Sequence, residues 1–306
     1  MLDKINGMSE RSERTMNTAE HSLVPEPSVS EGAGMSEQIS IAQDRSERQG
    51  GAGDTIERTA FEVLHVGGPT LRFRYAGSTW LTDPTFDQPG DYPGRVTLHK
   101  LIGPAVSPQE VGPVDVVLLS HDEHADNLDF SGREFLTTVP TVLSTPGAAT
   151  RIAGVRGLEN WETVTVQGVQ VTGVPALHGP EGCEPITGIV TGFVLRADGE
   201  PTVYVSGDNA SVQVVERIVE RIGRVDIAVL NVGAANIGLF GDADATLNAR
   251  TALLAAEVLG DALIVPVHGD GWAHFSETLD HLSRVFGYAG RAEQLRIPPL
   301  GRVASV

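Results

Sequence analysis

The segment at residues 119–129 (LSHDEHADNLD) concentrates two histidines and several carboxylates in one short stretch. It continues directly from residues 114–119, an apolar run rich in β-branched residues that predicts a buried strand. Divalent metals bind neutral imidazole and ionised carboxylate groups, and a loop that leaves a rigid strand can direct several such groups to one point. The segment therefore predicts a metal site, with a solvated polar turn as the alternative.

Three further apolar runs each end in a residue that can bind a metal. These runs cover residues 169–177, 202–207 and 262–267, and the residues that follow them are His178, Asp208 and His268. A single histidine at a strand end is more often a structural residue than a ligand. Four such strand ends in one chain, however, indicate a shared site.

The elements that would carry these residues can be predicted from hydrophobic periodicity. Residues 61–66, 70–75 and 79–83 predict a β-meander. In the second half, apolar residues at helical spacing before Gly223 predict an amphipathic helix, and residues 225–232, 246–259 and 262–267 predict strand, helix and strand. Strands alternating with helices are typical of α/β folds.

The order of the candidate ligands resembles the metallo-β-lactamase superfamily, whose signature is HxHxDH followed by a distant His, a bridging Asp and a last His. Residues 65–70 (HVGGPT), 81–86 (LTDPTF) and 265–268 (VPVH) resemble its branch that contains L-ascorbate-6-phosphate lactonase and N-acylphosphatidylethanolamine phospholipase D. The resemblance implies an α/β fold, the four-layer αββα sandwich, over residues 59–306. It does not imply a substrate, because one such scaffold hosts many chemistries.

The HxHxDH signature fits this chain only with a departure. Counted back from Asp126, its first histidine falls on Asp122 and its last on Asn127. Counted forward from the strand, the first histidine is His121 and one residue is inserted. His124 and Asp126 keep their places in both registers.

The resemblance implies two metal positions. The first would be formed by His124, His178 and Asp208 with either His121 or Asp122. The second would be formed by Asp126, Asp208 and His268, with Asn127 as a weak ligand, because an amide oxygen binds zinc less strongly than imidazole does. We therefore expect one or two divalent metal ions, zinc first and manganese as the alternative.

The implied activity is hydrolysis of an ester, lactone, amide or phosphodiester bond by a metal-bound hydroxide. A bound divalent ion lowers the pKa of its water from about 15.7 to about 7, so no protein nucleophile is required. Asp126 is the expected catalytic residue, either orienting the hydroxide or carrying its proton to the leaving group. The departure at Asn127 leaves an alternative open: a degenerate member that binds one metal or a ligand without turnover.

Four further residues are candidates for supporting roles. By resemblance, Asp83, in a Thr-Asp-Pro turn, would orient the ligand loop, and turn capping is the alternative. His65 points either into the site or into the interior. Trp272 and His274, with Phe275, are candidates for a wall of the substrate pocket or for core packing.

Composition limits the remaining possibilities. The 306 residues are 41% hydrophobic, enough for one large domain, but residues 1–58 are poor in large apolar side chains and predict an acidic, disordered tail. The formal net charge of −18 argues against non-specific nucleic-acid binding, so a small-molecule substrate is the expected partner. The start lacks a secretory signal, and no run of about twenty apolar residues predicts a membrane span, so the expected location is cytoplasmic.

Overall fold

An antiparallel meander opens the part of the chain that the structure, a computed structural model, describes: residues 61–306. It consists of β1 (Glu62–Gly67), β2 (Thr70–Tyr75) and β3 (Ser78–Thr82). The β2–β3 turn is tight because Ala76 and Gly77 both adopt positive φ angles, as the favoured two-residue hairpin turns require. The predicted tail, residues 1–58, lies outside the described residues.

The other elements follow in chain order. The first half contains β4 (Gly90–Tyr92), β5 (Leu98–Lys100), α1 (Pro108–Val111), β6 (Val116–Leu118), α2 (Phe130–Leu136), β7 (Thr141–Ser144), α3 (Pro146–Arg151), β8 (Val155–Gly157) and β9 (Thr163–Val166). The second half contains β10 (Val169–Ala176), α4 (Glu184–Thr187), β11 (Val190–Arg196), β12 (Val203–Val205), α5 (Val212–Ile222), β13 (Ile227–Asn231), α6 (Ala249–Val258), β14 (Leu263–Val267), α7 (Leu279–Tyr288), a 3₁₀ turn (Ala292–Gln294) and β15 (Val303–Ser305).

Two large sheets are built from these strands within residues 61–306. The first has the order β15-β1-β2-β3-β6-β7-β8, and the second has the order β14-β13-β12-β11-β10-β9, while β4 and β5 form a separate two-stranded ribbon. In the first sheet β3, β6, β7 and β8 are parallel, and in the second β12, β13 and β14 are parallel. The meander of β1, β2 and β3 belongs to the first sheet, and consecutive strands from β9 to β12 of the second sheet are antiparallel to one another.

The layers are held by three clusters of buried apolar side chains. Phe73 and Trp80 of the first sheet share one cluster with Phe193 of the second, so the two sheets pack face to face. Another cluster joins the outer face of the second sheet to α5, α6 and α7. The third joins the outer face of the first sheet to α2, with Val117 and Phe135 among its members. The αββα sandwich predicted from the sequence is confirmed.

The differences from the predicted elements are small and lie mostly at their ends. The predicted helix at 246–259 begins at Ala249, because the Asn248 side chain caps its first turn. The strands predicted at 114–119 and 225–232 are shorter, at Val116–Leu118 and Ile227–Asn231. No helix between residues 61 and 306 has the length and apolar character that crossing a bilayer requires.

Candidate metal centre

The strands that precede the candidate ligands run in one direction within each sheet. β3 and β6 are parallel in the first sheet, and β12, β13 and β14 are parallel in the second. β10 runs in the same direction as β12, because each is antiparallel to β11. Parallel strands end at the same edge of a sheet. The two edges meet here, because the backbone N–H of Thr191 donates to the carbonyl of Ser120 at 3.0 Å. The polar residues after these strands therefore converge.

The first group of candidate ligands consists of three imidazoles. The Nδ1 atom of His124 lies 2.9 Å from Nε2 of His121 and 3.1 Å from Nε2 of His178. The Nδ1 atom of His178 lies 2.7 Å from the carbonyl oxygen of Ala245, so it carries the proton and donates there. This hydrogen bond fixes the tautomer of His178 and leaves its Nε2 lone pair directed at the other two rings.

The second group contains Asp126, Asp208 and His268. The Nε2 atom of His268 lies 3.2 Å from Oδ2 of Asp126 and 3.6 Å from Oδ1 of Asp208. The other oxygen of Asp208, Oδ2, lies 3.6 Å from Nε2 of His178. Asp208 therefore contacts both groups. In each group the ligand atoms lie within 4.8 Å of one another, close enough to hold a metal ion.

The donor atoms fit divalent metals. Oδ1 of Asp126 and Oδ2 of Asp208 are buried and accept no hydrogen bond from the described residues. A buried carboxylate oxygen without a donor is costly, and a bound cation would offset that cost. Nε2 of His178, whose ring proton is on Nδ1, also faces the other imidazoles of the first group, 3.1 Å from Nδ1 of His124.

The protonation states of His121, His124 and Asp208 are suited to metal binding. Burial, reinforced by the neighbouring imidazoles, lowers the pKa of His121 to about 3 and that of His124 to about 4, so both rings are neutral at pH 7. Burial opposes the charge on Asp208, but the surrounding histidines outweigh it and lower its pKa to about 2. Neutral imidazole and ionised carboxylate are the forms that bind metal.

A layer of amides and backbone donors orients Asp208 and the ligand loop. The Nδ2 atoms of Asn127 and Asn231 donate to Oδ1 of Asp208 at 3.1 and 2.6 Å. Asp83 accepts from the backbone N–H of Ser120 at 2.6 Å and from Nδ2 of Asn127 at 3.3 Å. Burial raises the pKa of Asp83 to about 7, against the effect of the Ser120 hydrogen bond. Asp83 thus contacts the loop and not the ligand groups.

Two expected ligands are placed elsewhere. The structure does not bring Asp122 to the metal groups, because its carboxylate accepts from Nε of Arg151 at 3.0 Å in a bidentate ion pair. His121 lies beside His124 instead, with its Nε2 2.9 Å from the His124 Nδ1, and we propose the register with one inserted residue on this ground. Asn127 donates its amide nitrogen to Asp208, while its Oδ1, the atom expected as a weak ligand, is buried and has no hydrogen-bond partner among the described residues.

The other sequence candidates divide between structural and site positions. His65 lies in the interior, where its Nε2 is 3.0 Å from the carbonyl oxygen of Gly68. That carbonyl also accepts from the backbone N–H of His268, so His65 supports the last ligand only indirectly. Trp272 is buried behind Tyr92 and His274, whereas His274 reaches the site, with its Nε2 2.9 Å from Oδ2 of Asp126.

A cavity of about 470 Å³ opens onto both groups. His124, Asp126, His178 and His274 form its floor, and its walls come from residues 92–98, 184–188 and 235–239. These wall segments are mainly apolar. A small molecule in this cavity would therefore contact the candidate ligands directly and apolar side chains around them.

The backbone around His268 is strained. His268 has a φ of 61°, and Gly233, with a φ of 94°, passes so close that a Cβ there would lie 2.5 Å from the His268 carbonyl oxygen. Non-glycine residues in the left-handed region cost of order 1–3 kcal/mol and cluster at functional sites. The last ligand is thus held by a conformation that the surrounding loops impose.

Sequence reasoning missed two residues that shape the site. Asn231 ends the otherwise apolar strand β13, and this isolated polar residue was the available signal. Arg151, which draws Asp122 away from the metal groups, belongs to α3 and carries no local signal of its role.

Comparison with known proteins agrees with this geometry. Residues 79–269, more than half of the chain, match the model of the β-lactamase superfamily domain. The chain belongs to this superfamily. A UPF0173 metal-dependent hydrolase of Methanoculleus marisnigri is 30% identical over 215 residues, which cover 67% of this chain and 86% of that protein. The chain therefore belongs to the UPF0173 metal-dependent hydrolase family.

Further relatives and solved structures share the family or the fold. A UPF0173 metal-dependent hydrolase of Pyrococcus abyssi is 27% identical over 59% of this chain and 77% of its own length. A possible metal-dependent hydrolase from Veillonella parvula superposes with a TM-score of 0.72 at 19% identity, covering 81% of this chain and all of that one. An isothiocyanate hydrolase from Delia radicum gut bacteria gives 0.70 at 22% identity, with coverage of 80% and 99%.

Proposed function

We propose that this protein hydrolyses an ester, lactone or amide of a small, largely apolar molecule, using two divalent metal ions. The observation that supports this most directly is the pair of ligand groups joined by Asp208 on the floor of one cavity.

The donor atoms suggest which metals bind. His121, His124 and His178 would hold one ion and Asp126 and His268 the other, with Asp208 shared between them. Three imidazoles suit zinc, whereas a group richer in carboxylates also suits manganese or another harder ion. When bound, such ions lower the pKa of a water molecule and polarise the carbonyl group under attack.

The protein's own groups position the reactants and move the proton. Oδ1 of Asp126 is free of hydrogen bonds from the described residues, while its Oδ2 is held by His268 and His274. Asp126 therefore presents a fixed, ionised carboxylate at the cavity floor. It can accept a proton from an attacking water molecule and return it to the leaving group.

The walls of the cavity favour a carbonyl substrate over a phosphodiester. Val96, Ile186, Ile237 and Leu239 contribute apolar surface, and Arg95 is the single basic side chain among the lining residues other than the histidines. A phosphodiester would carry a negative charge past Glu123 and Glu184, which also line the cavity. An uncharged ester, lactone or amide avoids that repulsion.

The test combines metal analysis with a substrate panel. Protein purified without added metal is analysed for its metal content and then assayed, with zinc or manganese added, on apolar esters, lactones, amides and phosphodiesters. The lactones test the resemblance to the ascorbate-phosphate lactonase branch, and an isothiocyanate is added because a structural neighbour hydrolyses one. We expect turnover of at least one neutral carbonyl substrate, abolished by chelation. Turnover of phosphodiesters alone would contradict the substrate class.

The second candidate is a family member that binds metal or a ligand without turnover. The replacement of the last signature histidine by Asn127 is the observation that favours it. Metal content below about half an equivalent per chain, without activation by zinc or manganese, would support this reading over the hydrolase.

A further inference from the structure

The position that holds the last histidine of the HxHxDH signature supplies no imidazole in this chain. Asn127 is fully buried, and its Nδ2 lies 3.1 Å from Asp208, 3.3 Å from Asp83 and 3.4 Å from the Oγ atom of Ser120. These neighbours include two carboxylates, so the amide must face them with its nitrogen. The second group therefore lacks one imidazole at this position.

Another imidazole reaches the same group from a different element. Nε2 of His274 lies 2.9 Å from Oδ2 of Asp126, and Nε2 of His268 approaches that same oxygen at 3.2 Å. Two imidazole nitrogens thus lie within hydrogen-bond distance of one carboxylate oxygen. We infer that His274 is a ligand of the second metal position, in place of the missing histidine. Together with Asp126 and His268 it would bind this ion alone, whereas Asp208 is shared with the first position. This inference rests on the two-metal site proposed above.

The surroundings of His274 favour a ligand over a packing residue. Its side chain is 10% exposed at the cavity, and its Nδ1 is buried with no hydrogen-bond partner among the described residues. The contact with Asp126 is thus the only side-chain hydrogen bond that its ring makes within residues 61–306. An imidazole that reaches the cavity and contacts a candidate ligand is placed to bind the same ion, unlike that of His65, whose Nε2 lies against the Gly68 carbonyl in the interior.

The segment that carries His274 is fixed against the strand ends. The Phe275 ring packs against both imidazoles. Its centroid lies 4.3 Å from that of the His268 ring and 4.7 Å from that of the His274 ring. The carbonyl of His274 accepts from the backbone N–H of Asn236, and Ala235 forms a β-bridge with Phe275. The imidazole is therefore held in place before any metal binds, as a ligand position requires.

The experiment measures metal binding and compares His274→Ala with the control His281→Ala. His281 lies on α7 with 44% of its side chain exposed, outside the site. Each apoprotein is titrated with zinc by calorimetry, and its metal content is measured after gel filtration. Melting of the apoproteins checks that both variants are folded.

We expect the wild-type chain and His281→Ala to bind two zinc ions. His274→Ala should bind the first normally and the second at least about tenfold more weakly, a loss that even outer partners of metal ligands can produce. Two equivalents at unchanged affinity in His274→Ala would overturn this inference and leave the proposed function intact. A wild-type chain that binds a single ion would overturn the inference and the two-metal form of the proposed function, and one that binds less than half an equivalent would overturn the hydrolase proposal as a whole. If His274→Ala does not fold, His274→Gln at the same position gives the same readout.

Discussion

The two metal groups are built from different chemistry although they share Asp208. The first contains three imidazoles, and the pKa values of His121 and His124 are lowered to about 3 and 4, so the rings are uncharged. In the second, burial acts against a charge on His268, but the carboxylates of Asp208 and Asp126 outweigh it and raise its pKa to about 9. The first group is thus a set of neutral nitrogen donors, whereas in the second the protonated His268 ring balances part of the carboxylate charge and would release its proton when a metal binds.

This difference suggests that the groups bind metals with different preferences. Imidazole donors favour zinc, and a site with two carboxylates also accepts harder ions such as manganese. The first group also has all three of its imidazoles, whereas the second depends on a residue from another part of the chain. The first position should therefore fill first and hold its ion more tightly.

The largest expected effect comes from removing the residue that the groups share. In Asp208→Ala both groups lose a carboxylate, so we expect the metal content to fall below about half an equivalent and hydrolysis to be abolished. Asp261→Ala, at an exposed position before β14, is the matched control. Elemental analysis measures the metal content, the substrate assay measures hydrolysis, and circular dichroism checks that each variant is folded. Full metal loading of a folded Asp208→Ala chain would exclude Asp208 from the site.

The next effect separates the groups. His178→Ala removes one of the three imidazoles of the first group. Asp208 is the one residue of the second group that His178 contacts among the described residues. We expect zinc binding to fall from two ions to one, with the remaining ion replaceable by manganese. Titration with each metal in turn checks this. Loss of both ions would show that the groups form one cooperative unit.

The register of the ligand loop gives a third prediction, a comparison of His121→Ala with Asp122→Ala. The first should lose the zinc of the first group. The second should keep both ions but lower the free energy of unfolding by about 1 to 2 kcal/mol, because the ion pair with Arg151 is partly exposed and screened. Metal titration and urea unfolding measure the two effects. Lost metal in Asp122→Ala would favour the other register.

The ion pair of Asp122 also has a defined pH dependence. Burial would raise the pKa of Asp122, but the hydrogen bonds and charge of Arg151 outweigh it and hold that pKa below its ordinary value. The stability contributed by the pair is therefore present above the unfolded pKa of about 3.9 and is lost as the pH falls through the folded value. Unfolding of the wild-type chain and of Asp122→Ala should converge in acid.

The smallest expected effect concerns Asn127. If His274 already completes the second group, Asn127→His leaves zinc binding at two ions per chain in an otherwise wild-type protein. In His274→Ala, the same change should restore part of the lost affinity. Calorimetric titration of the single and double variants measures this. A rise above the wild-type occupancy in Asn127→His alone would show that the second group is incomplete.

The parts of the site that the sequence could predict are those governed by strand ends. His178, Asp208 and His268 each follow an apolar run, and parallel strands bring their ends together, so local patterns were sufficient. The fold class followed from the same alternation of strands and helices. These features depend on periodicity, which is visible in any short stretch of sequence.

The features that could not be predicted depend on partners far away in the chain. The direction of Asp122 is decided by Arg151, 29 residues later, and the orientation of the Asn127 amide by Asp208, 81 residues later. His274 could be placed near the site but not assigned a role, because its contact with Asp126 spans 148 residues. No periodic pattern encodes such contacts.

The cavity described above has a consequence for how this enzyme can diversify. Its floor is formed by residues at strand ends, whereas its walls come from three separate segments, residues 92–98, 184–188 and 235–239. Substitutions or insertions in residues 92–98 and 184–188 would reshape the cavity without moving a candidate ligand. The chemistry and the choice of molecule are thus inherited through different residues, so this scaffold can acquire new substrates by changing its loops while its metal chemistry stays the same.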